Sequence, residues 1–171
     1  MVIRRGGAQD VRFLRDMLHH AYYWRERVPG SLVSRYVRGW GRPGDTAVIA
    51  LENGFPIGAA WYRLFTAAEP GYGFVDERTP ELAIAVVPSK RGFGVGEELL
   101  QALLERAREA GFEALSLNVE PGNPARKLYE RYGFQVVEEG PEAWTMRARV
   151  ASTPTADQGH EGTEELTPDG M

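Results

Sequence analysis

A single mixed α/β domain is the fold class this sequence predicts, and three observations predict it. Segments rich in strand formers alternate with segments whose apolar residues recur at the spacing of one helix face. One continuously apolar run, Leu82 to Val87, passes through a glycine-rich turn straight into an amphipathic segment. The chain has 171 residues, 43% of them hydrophobic, which suits one well-buried core rather than several.

The elements follow in order. Val2 to Arg5 reads as a first strand, and Val11, Leu14, Met17, Leu18 and Ala21 mark the buried face of a first helix. Ser31 is placed to cap a second, short helix through Leu32, Val33, Tyr36 and Val37, with Gly39 and Gly41 ending it. Thr46 to Leu51 and Ile57 to Phe65 are strands joined through Asn53-Gly54, a dipeptide suited to a tight hairpin turn. Thr66 to Pro80, with Pro70, Gly71, Gly73 and Pro80, reads as a long loop, and long loops in compact domains are often functional. Leu82 to Val87 is then a central strand buried on both faces. Leu99, Leu100, Leu103, Leu104 and Ala107 lie on one face of a helix that stops at Gly111. Leu115, Leu117 and Val119 alternate as a strand. Asn123 caps a helix with Pro124 in its first turn, ending at Gly133, before strands at Phe134 to Val137 and Trp144 to Val150.

Residues 1–150 therefore form the expected domain. From Ala151 to Met171 the chain is rich in Thr, Gly, Pro and acids with very few apolar residues, and it reads as an acidic, disordered tail. That tail carries Asp157, Glu161, Glu164, Glu165 and Asp169 and no Lys or Arg, so the formal charge of -4 overstates the acidity of the body, where 20 Lys and Arg face 19 acidic residues. A near-neutral body offers no footprint for nucleic acid. With no cysteine, disulfides, thiolate metal sites and a cysteine nucleophile are excluded. The adjacent His19 and His20 lack further ligands, so no metal is expected. The start MVIRRGG leads into no long apolar stretch, and the longest apolar run is too short to span a bilayer. A cytoplasmic protein without membrane contact is expected; a homodimer is left open.

The most informative segment runs Val86-Val87-Pro88-Ser89-Lys90-Arg91-Gly92-Phe93-Gly94-Val95-Gly96-Glu97-Glu98-Leu99-Leu100. Amides at a helix N-terminus lack partners inside the helix and carry partial positive charge, and glycines let a phosphate approach the backbone. A tight strand-to-helix turn without a ligand is the plain alternative. Two other phosphate-binding patterns fit poorly. A P-loop needs Lys followed by Ser or Thr where Glu97-Glu98 stand, and a dinucleotide fingerprint has G-x-G-x-x-G near the start of its domain rather than alternating glycines in mid-chain.

Arg91, Gly94 and Gly96 instead match the Arg/Gln-x-x-Gly-x-Gly/Ala signature of the GNAT superfamily of N-acetyltransferases, which this sequence resembles. A second block, Asn123-Pro124-Ala125-Arg126-Lys127-Leu128-Tyr129-Glu130-Arg131-Tyr132-Gly133-Phe134, is similar to the family's Asn followed by a helix with Leu-Tyr and a closing Gly-Phe. The element order agrees from Val2 to about Val150. The resemblance implies a mixed, mostly antiparallel sheet of six to seven strands flanked by about four helices. It implies acetyl-CoA as co-substrate, its pantetheine arm along Ile84, Ala85 and Val86. Its pyrophosphate would lie on the amides of Gly92, Phe93, Gly94, Val95, Gly96 and Glu97 beside Arg91, with Asn123 and Tyr129 completing the site. Glu97 and Glu98 favour the helix dipole and are expected to face solvent, away from phosphate.

Transfer of an acetyl group to an amine needs a neutral nucleophile, stabilisation of charge on the carbonyl oxygen, and a proton for the departing thiolate. Tyr129 matches the family tyrosine that protonates the coenzyme A sulfur; a partly buried helix aromatic is the alternative. A lysine-type amine, pKa about 10.4, forfeits roughly 4 kcal/mol to become neutral at pH 7, so a base helps. Glu81 shares a strand face with Ala83 and Ala85, whose small side chains leave room beside its carboxylate. Against Glu81 as base stand a solvated strand-end carboxylate and ordered water. The acceptor pocket is expected among Tyr22, Tyr23 and Trp24, Trp61, and Tyr72 of the long loop, an aromatic crowd that suits an apolar or aromatic amine. The expected activity is N-acetylation of an amine by direct attack on acetyl-CoA. A non-catalytic acyl-CoA-binding or regulatory domain and a nucleotide-binding module are the alternatives.

Overall fold

Seven strands and three α-helices follow one another in a computed structural model that describes residues 1–26 and 31–150, the side chains of Trp24 and Glu26 excepted. They are β1 (Val2–Arg5), α1 (Val11–Glu26), β2 (Thr46–Glu52), β3 (Phe55–Arg63), β4 (Glu81–Val86), α2 (Val95–Glu109), β5 (Ala114–Val119), α3 (Ala125–Arg131), β6 (Gln135–Glu139) and β7 (Trp144–Arg149). The acidic tail expected from residue 151 lies outside the described residues. No helix among the described residues is long and apolar enough to cross a membrane.

One sheet carries all seven strands in the order β1-β2-β3-β4-β5-β7-β6. Every neighbouring pair is antiparallel except β4 with β5. The β2–β3 hairpin turns through Asn53 (φ 52°) and Gly54 (φ 82°), with Glu52 opposite Phe55, the two-residue turn that Asn-Gly favours.

Strand alternation sends side chains to two cores, which is why the central strands read as continuously apolar. Ala47, Ile49, Ala59, Trp61, Ala83 and Ala85 pack under Leu14, Met17 and Leu18 of α1. Val48, Ala50, Ala60, Tyr62 and Leu82 pack under Leu99, Leu100, Leu103 and Ala107 of α2. Each such leucine withdrawn from water contributes about 1.5–3 kcal/mol.

Where a second helix capped by Ser31 was expected, one turn of 3-10 helix forms at Val33–Tyr36, with Leu32 in the cap position. The reason is tertiary. Arg63 donates to the carbonyls of Arg35 (2.9 Å) and Arg38 (2.6 Å), and Trp61 Nε1 donates to the carbonyl of Tyr36 (3.0 Å), so β3 side chains take the acceptors a longer helix would use. Ser31 Oγ accepts from the Val33 N–H at 3.3 Å. Arg63, 1% exposed, also grips Asp45 through two bonds of 2.9 and 2.7 Å, fixing the 35–45 segment to the end of β3.

Candidate active site

β5 meets β4 at a single ladder pair, Glu81 with Ser116, backed by the Ser116 N–H donating to the Pro80 carbonyl at 2.9 Å. Beyond that pair the two strands part, and a cleft of about 920 Å³ opens between them. Ile84, Ala85 and Val86 form one wall; the other is built by Glu120 to Ala125 with Leu128 and Tyr129, and His20, Ala21, Tyr23 and Glu142 stand at its far end. The size is that of a small-ligand site, and one wall is a strand edge with no partner strand on that side among the described residues.

The near end is the glycine turn. Gly92 (φ 85°) and Gly94 (φ 84°) hold left-handed backbone that side-chain-bearing residues resist, although a Cβ at either would meet nothing within 4 Å. Conformation, not space, demands glycine there. The first helical bond of α2 runs from Glu98 N–H to the Gly94 carbonyl at 3.2 Å, so the N–H groups from Gly94 to Glu97 have no acceptor in their own helix. Arg91 anchors to the Val86 carbonyl through Nε (3.1 Å) and, with Gly92 and Gly96, lines the cleft. Phe93 projects to solvent and Val95, the first residue of α2, is buried in the core, so neither side chain joins them. Glu98 is exposed as expected. Glu97 instead turns to α3, accepting from the Tyr132 hydroxyl (2.7 Å) and Arg131 (3.2 Å), and the Tyr132 bond holds its carboxyl below the ordinary range.

Asn123 Oδ1 accepts the Ala125 N–H at 2.9 Å, starting α3 as the sequence implies. That helix delivers Tyr129, 6% exposed and edge-on to Phe134, to the wall of the cleft. Burial pushes its phenol further above the ordinary value, so it keeps its proton at neutral pH.

Glu81 sits on the opposite face of the sheet and is 1% exposed, which removes the solvated strand-end alternative. The Tyr36 hydroxyl donates a short bond to Oε2, while Oε1 has no hydrogen-bond partner among the described residues. The long loop folds over this carboxyl. A Cβ on Gly71 would fall on Glu81 Oε1 and lie 2.9 Å from the Tyr36 hydroxyl; one on Gly73 would lie 2.8 Å from the Leu117 carbonyl. Burial raises the Glu81 carboxyl to about 7, opposed by the Tyr36 bond, the Gly73 backbone and Arg25. A carboxyl near 7 is suited to exchanging protons at neutral pH.

Among the aromatics expected around an acceptor, two gather here. Tyr22, buried where α1 departs from helical backbone (φ -132°, ψ 26°), stacks on Tyr36 with centroids 4.8 Å apart. Tyr72 stacks on Tyr36 at 6.3 Å, accepts the Leu32 N–H at its hydroxyl (2.8 Å) and lies under the Arg25 guanidinium at 3.7 Å. Tyr23 is exposed at the far end of the cleft. Trp61 does not join them: it is fully buried in the core beneath α1, its indole N–H engaged by Tyr36. The Trp24 side chain lies outside the described residues. Sequence reading passed over Tyr36, Arg25 and Asn118, which Arg25 contacts at 2.9 Å. Only Tyr36 left a signal, a hydroxyl on an otherwise apolar face. Among the described residues no group of three or more His, Cys, Asp or Glu could hold a metal ion.

Residues 11–134 match the family model described as "Acetyltransferase (GNAT) family". The chain is 30% identical over 132 residues to mycothiol acetyltransferase of Corynebacterium aurimucosum, covering 71% of this chain and 41% of that protein. It thus spans about two fifths of the length of the curated relatives it matches first. Among solved structures, the ribosomal-protein-alanine N-acetyltransferase of Brucella melitensis superposes with a TM-score of 0.65 at 25% identity, covering 87% of this chain and 99% of that one. The PaiA N-acetyltransferase of Thermoplasma acidophilum, solved in complex with coenzyme A, gives 0.62 at 16% identity, covering 86% and 98%.

Proposed function

The chain belongs to the GNAT acetyltransferase family, and from that premise we propose that it transfers an acetyl group from acetyl-CoA to an amine by direct attack. The observation that carries this reading is the parting of β4 from β5, which leaves a strand edge leading from the unpaired N–H groups of α2 to the Tyr129 hydroxyl. The edge of Ile84–Val86 suits an extended amide-bearing arm, and the N–H groups between Gly92 and Glu97 suit a diphosphate with Arg91 beside it. Bound acetyl-CoA supplies an activated thioester carbonyl.

The chain's own residues then have three tasks. The walls around Ile84 and Tyr129 hold the reacting atoms together and limit water. Tyr129, protonated at neutral pH, donates to the departing sulfur, and position rather than acidity makes it effective, because a thiolate whose acid has pKa about 8.5 is a weaker base than a phenolate. Glu81, with its carboxyl near 7, receives the proton that the amine must lose. The acceptor enters from the side of Tyr22, Tyr23 and Tyr72, whose rings favour an amine with an apolar or aromatic portion. Dependence on acetyl-CoA fits a cytoplasmic location.

Thiol release from acetyl-CoA across a panel of 2-phenylethylamine, L-methionine, L-lysine, spermidine and an alanine-terminated peptide tests the reading. Amine-dependent release is expected for at least one of them. Tight acetyl-CoA binding without any release would favour a non-catalytic domain instead.

A further inference from the structure

Phe93 is 77% exposed, more than any other large apolar side chain among the described residues, and it sits on the turn whose N–H groups open α2. A lone aromatic in water is ordinary on a protein surface. This one is set apart by its surroundings. Gly92 and Gly94 flank it, and a Cβ at either would meet no atom within 4 Å, so the space on both sides is open. Its charged neighbours are engaged elsewhere: Lys90 pairs with Glu52 at 2.6 Å, Arg91 Nε donates to the Val86 carbonyl at 3.1 Å, and Glu97 accepts from Arg131 and Tyr132. The backbone on either side is nonetheless fixed, the Lys90 N–H donating to the Val87 carbonyl at 2.9 Å and the Glu98 N–H to the Gly94 carbonyl at 3.2 Å.

A diphosphate joins two substituents at its opposite ends. In acetyl-CoA one is the pantetheine arm, which the Ile84–Val86 edge draws into the cleft, and the other is an adenosine, which leaves on the side away from it. Arg91, Gly92 and Gly96 line the cleft, whereas Phe93 does not, so its ring stands just outside the mouth. We propose that Phe93 is the platform on which the adenine base of acetyl-CoA stacks. The inference rests on the acetyltransferase reading above, and it makes the glycine turn a reader of the nucleoside as well as a cradle for the diphosphate.

The position suits a flat base better than an irregular apolar partner. Stacking needs an open aromatic face on a backbone that does not yield, and the left-handed glycines at 92 and 94 supply both by keeping Cβ atoms off the flanks of a hydrogen-bonded turn. Such a face holds a base through its π-surface and does not read its edge, so the presence of a base is felt strongly and its identity weakly. Stacking also covers apolar area that the chain leaves in water.

Phe93→Ala, Phe93→Leu and Phe93→Trp, each in the full chain, test the platform by calorimetry with coenzyme A and with phosphopantetheine, which lacks the nucleoside. Phe93→Ala is expected to raise the coenzyme A Kd about 10-fold and to leave the phosphopantetheine Kd unchanged. Phe93→Leu keeps apolar area without an aromatic face and should behave like the alanine variant, whereas Phe93→Trp should bind coenzyme A at least as tightly as the unmodified chain. Because the ring is exposed, the urea midpoint should stay the same in all three. Fluorescence gives a readout independent of affinity: etheno-coenzyme A, whose modified adenine emits, should be quenched when bound to saturated Phe93→Trp and bright on saturated Phe93→Ala. Unchanged coenzyme A affinity in Phe93→Ala, equal weakening of both ligands, or equal emission from the two saturated variants would overturn the platform while leaving the acetyltransferase standing. Failure of the unmodified protein to bind coenzyme A would overturn both.

Discussion

At the scale of single residues, Glu81 ties stability and activity to pH in opposite directions. Its folded carboxyl titrates at about 7 against 4.5 when free, so between those values the folded protein binds more protons than the unfolded chain, and stability falls as pH rises through that window. The loss is about 3 kcal/mol, complete above pH 7. Urea unfolding at pH 5 and pH 8 should show it, and Glu81→Gln should remove that part of the slope. Acetyl transfer should run the other way, kcat rising through pH 7 as the carboxylate forms. Tyr129→Phe is expected to lower kcat about 100-fold or more with acetyl-CoA affinity preserved by calorimetry; an unchanged kcat would return Tyr129 to a packing role. Tyr129 was legible because its block of sequence is local. The state of Glu81 was not, because its partner Tyr36 is 45 residues away and the loop that seals it is set by Gly71 and Gly73 approaching side chains they do not neighbour in sequence.

At the scale of elements, the turn into α2 and the pin on β3 make contrasting predictions. Gly94→Ala would place a Cβ in open space but in left-handed backbone, costing about 1–2 kcal/mol and rotating the N–H groups at the mouth of α2. It should therefore weaken acetyl-CoA binding in calorimetry more than it lowers the unfolding midpoint. Asp45→Ala would leave the buried Arg63 guanidinium unpaired and cost about 3–5 kcal/mol in chemical denaturation, loosening the segment that carries Tyr36. Hairpin, α2 and α3 could be read directly, since Asn53-Gly54, Gly94 and Asn123 each act on bonds within a few residues. The expected second helix could not, because Arg63 and Trp61 of a later strand take its carbonyls.

At the scale of the whole molecule, the boundary expected at residue 150 assigns the acetyl-CoA site to the body alone. Removing residues 151–171 takes the formal charge from -4 to near +1, and it should leave both the unfolding midpoint and acetyl-CoA affinity unchanged. A fall in either would move the boundary into the tail. By itself the sequence determined the order of elements, the two faces of the central strands, the glycine turn and Tyr129 on its helix, because each depends on periodicity or on bonds between near neighbours. The tertiary structure alone decided that β4 and β5 separate after one ladder pair, that Trp61 is core, and that Glu81 lies sealed beneath Tyr36 and the long loop. Those outcomes depend on which distant segments compete for the same space and the same hydrogen bonds, and no local pattern encodes that competition.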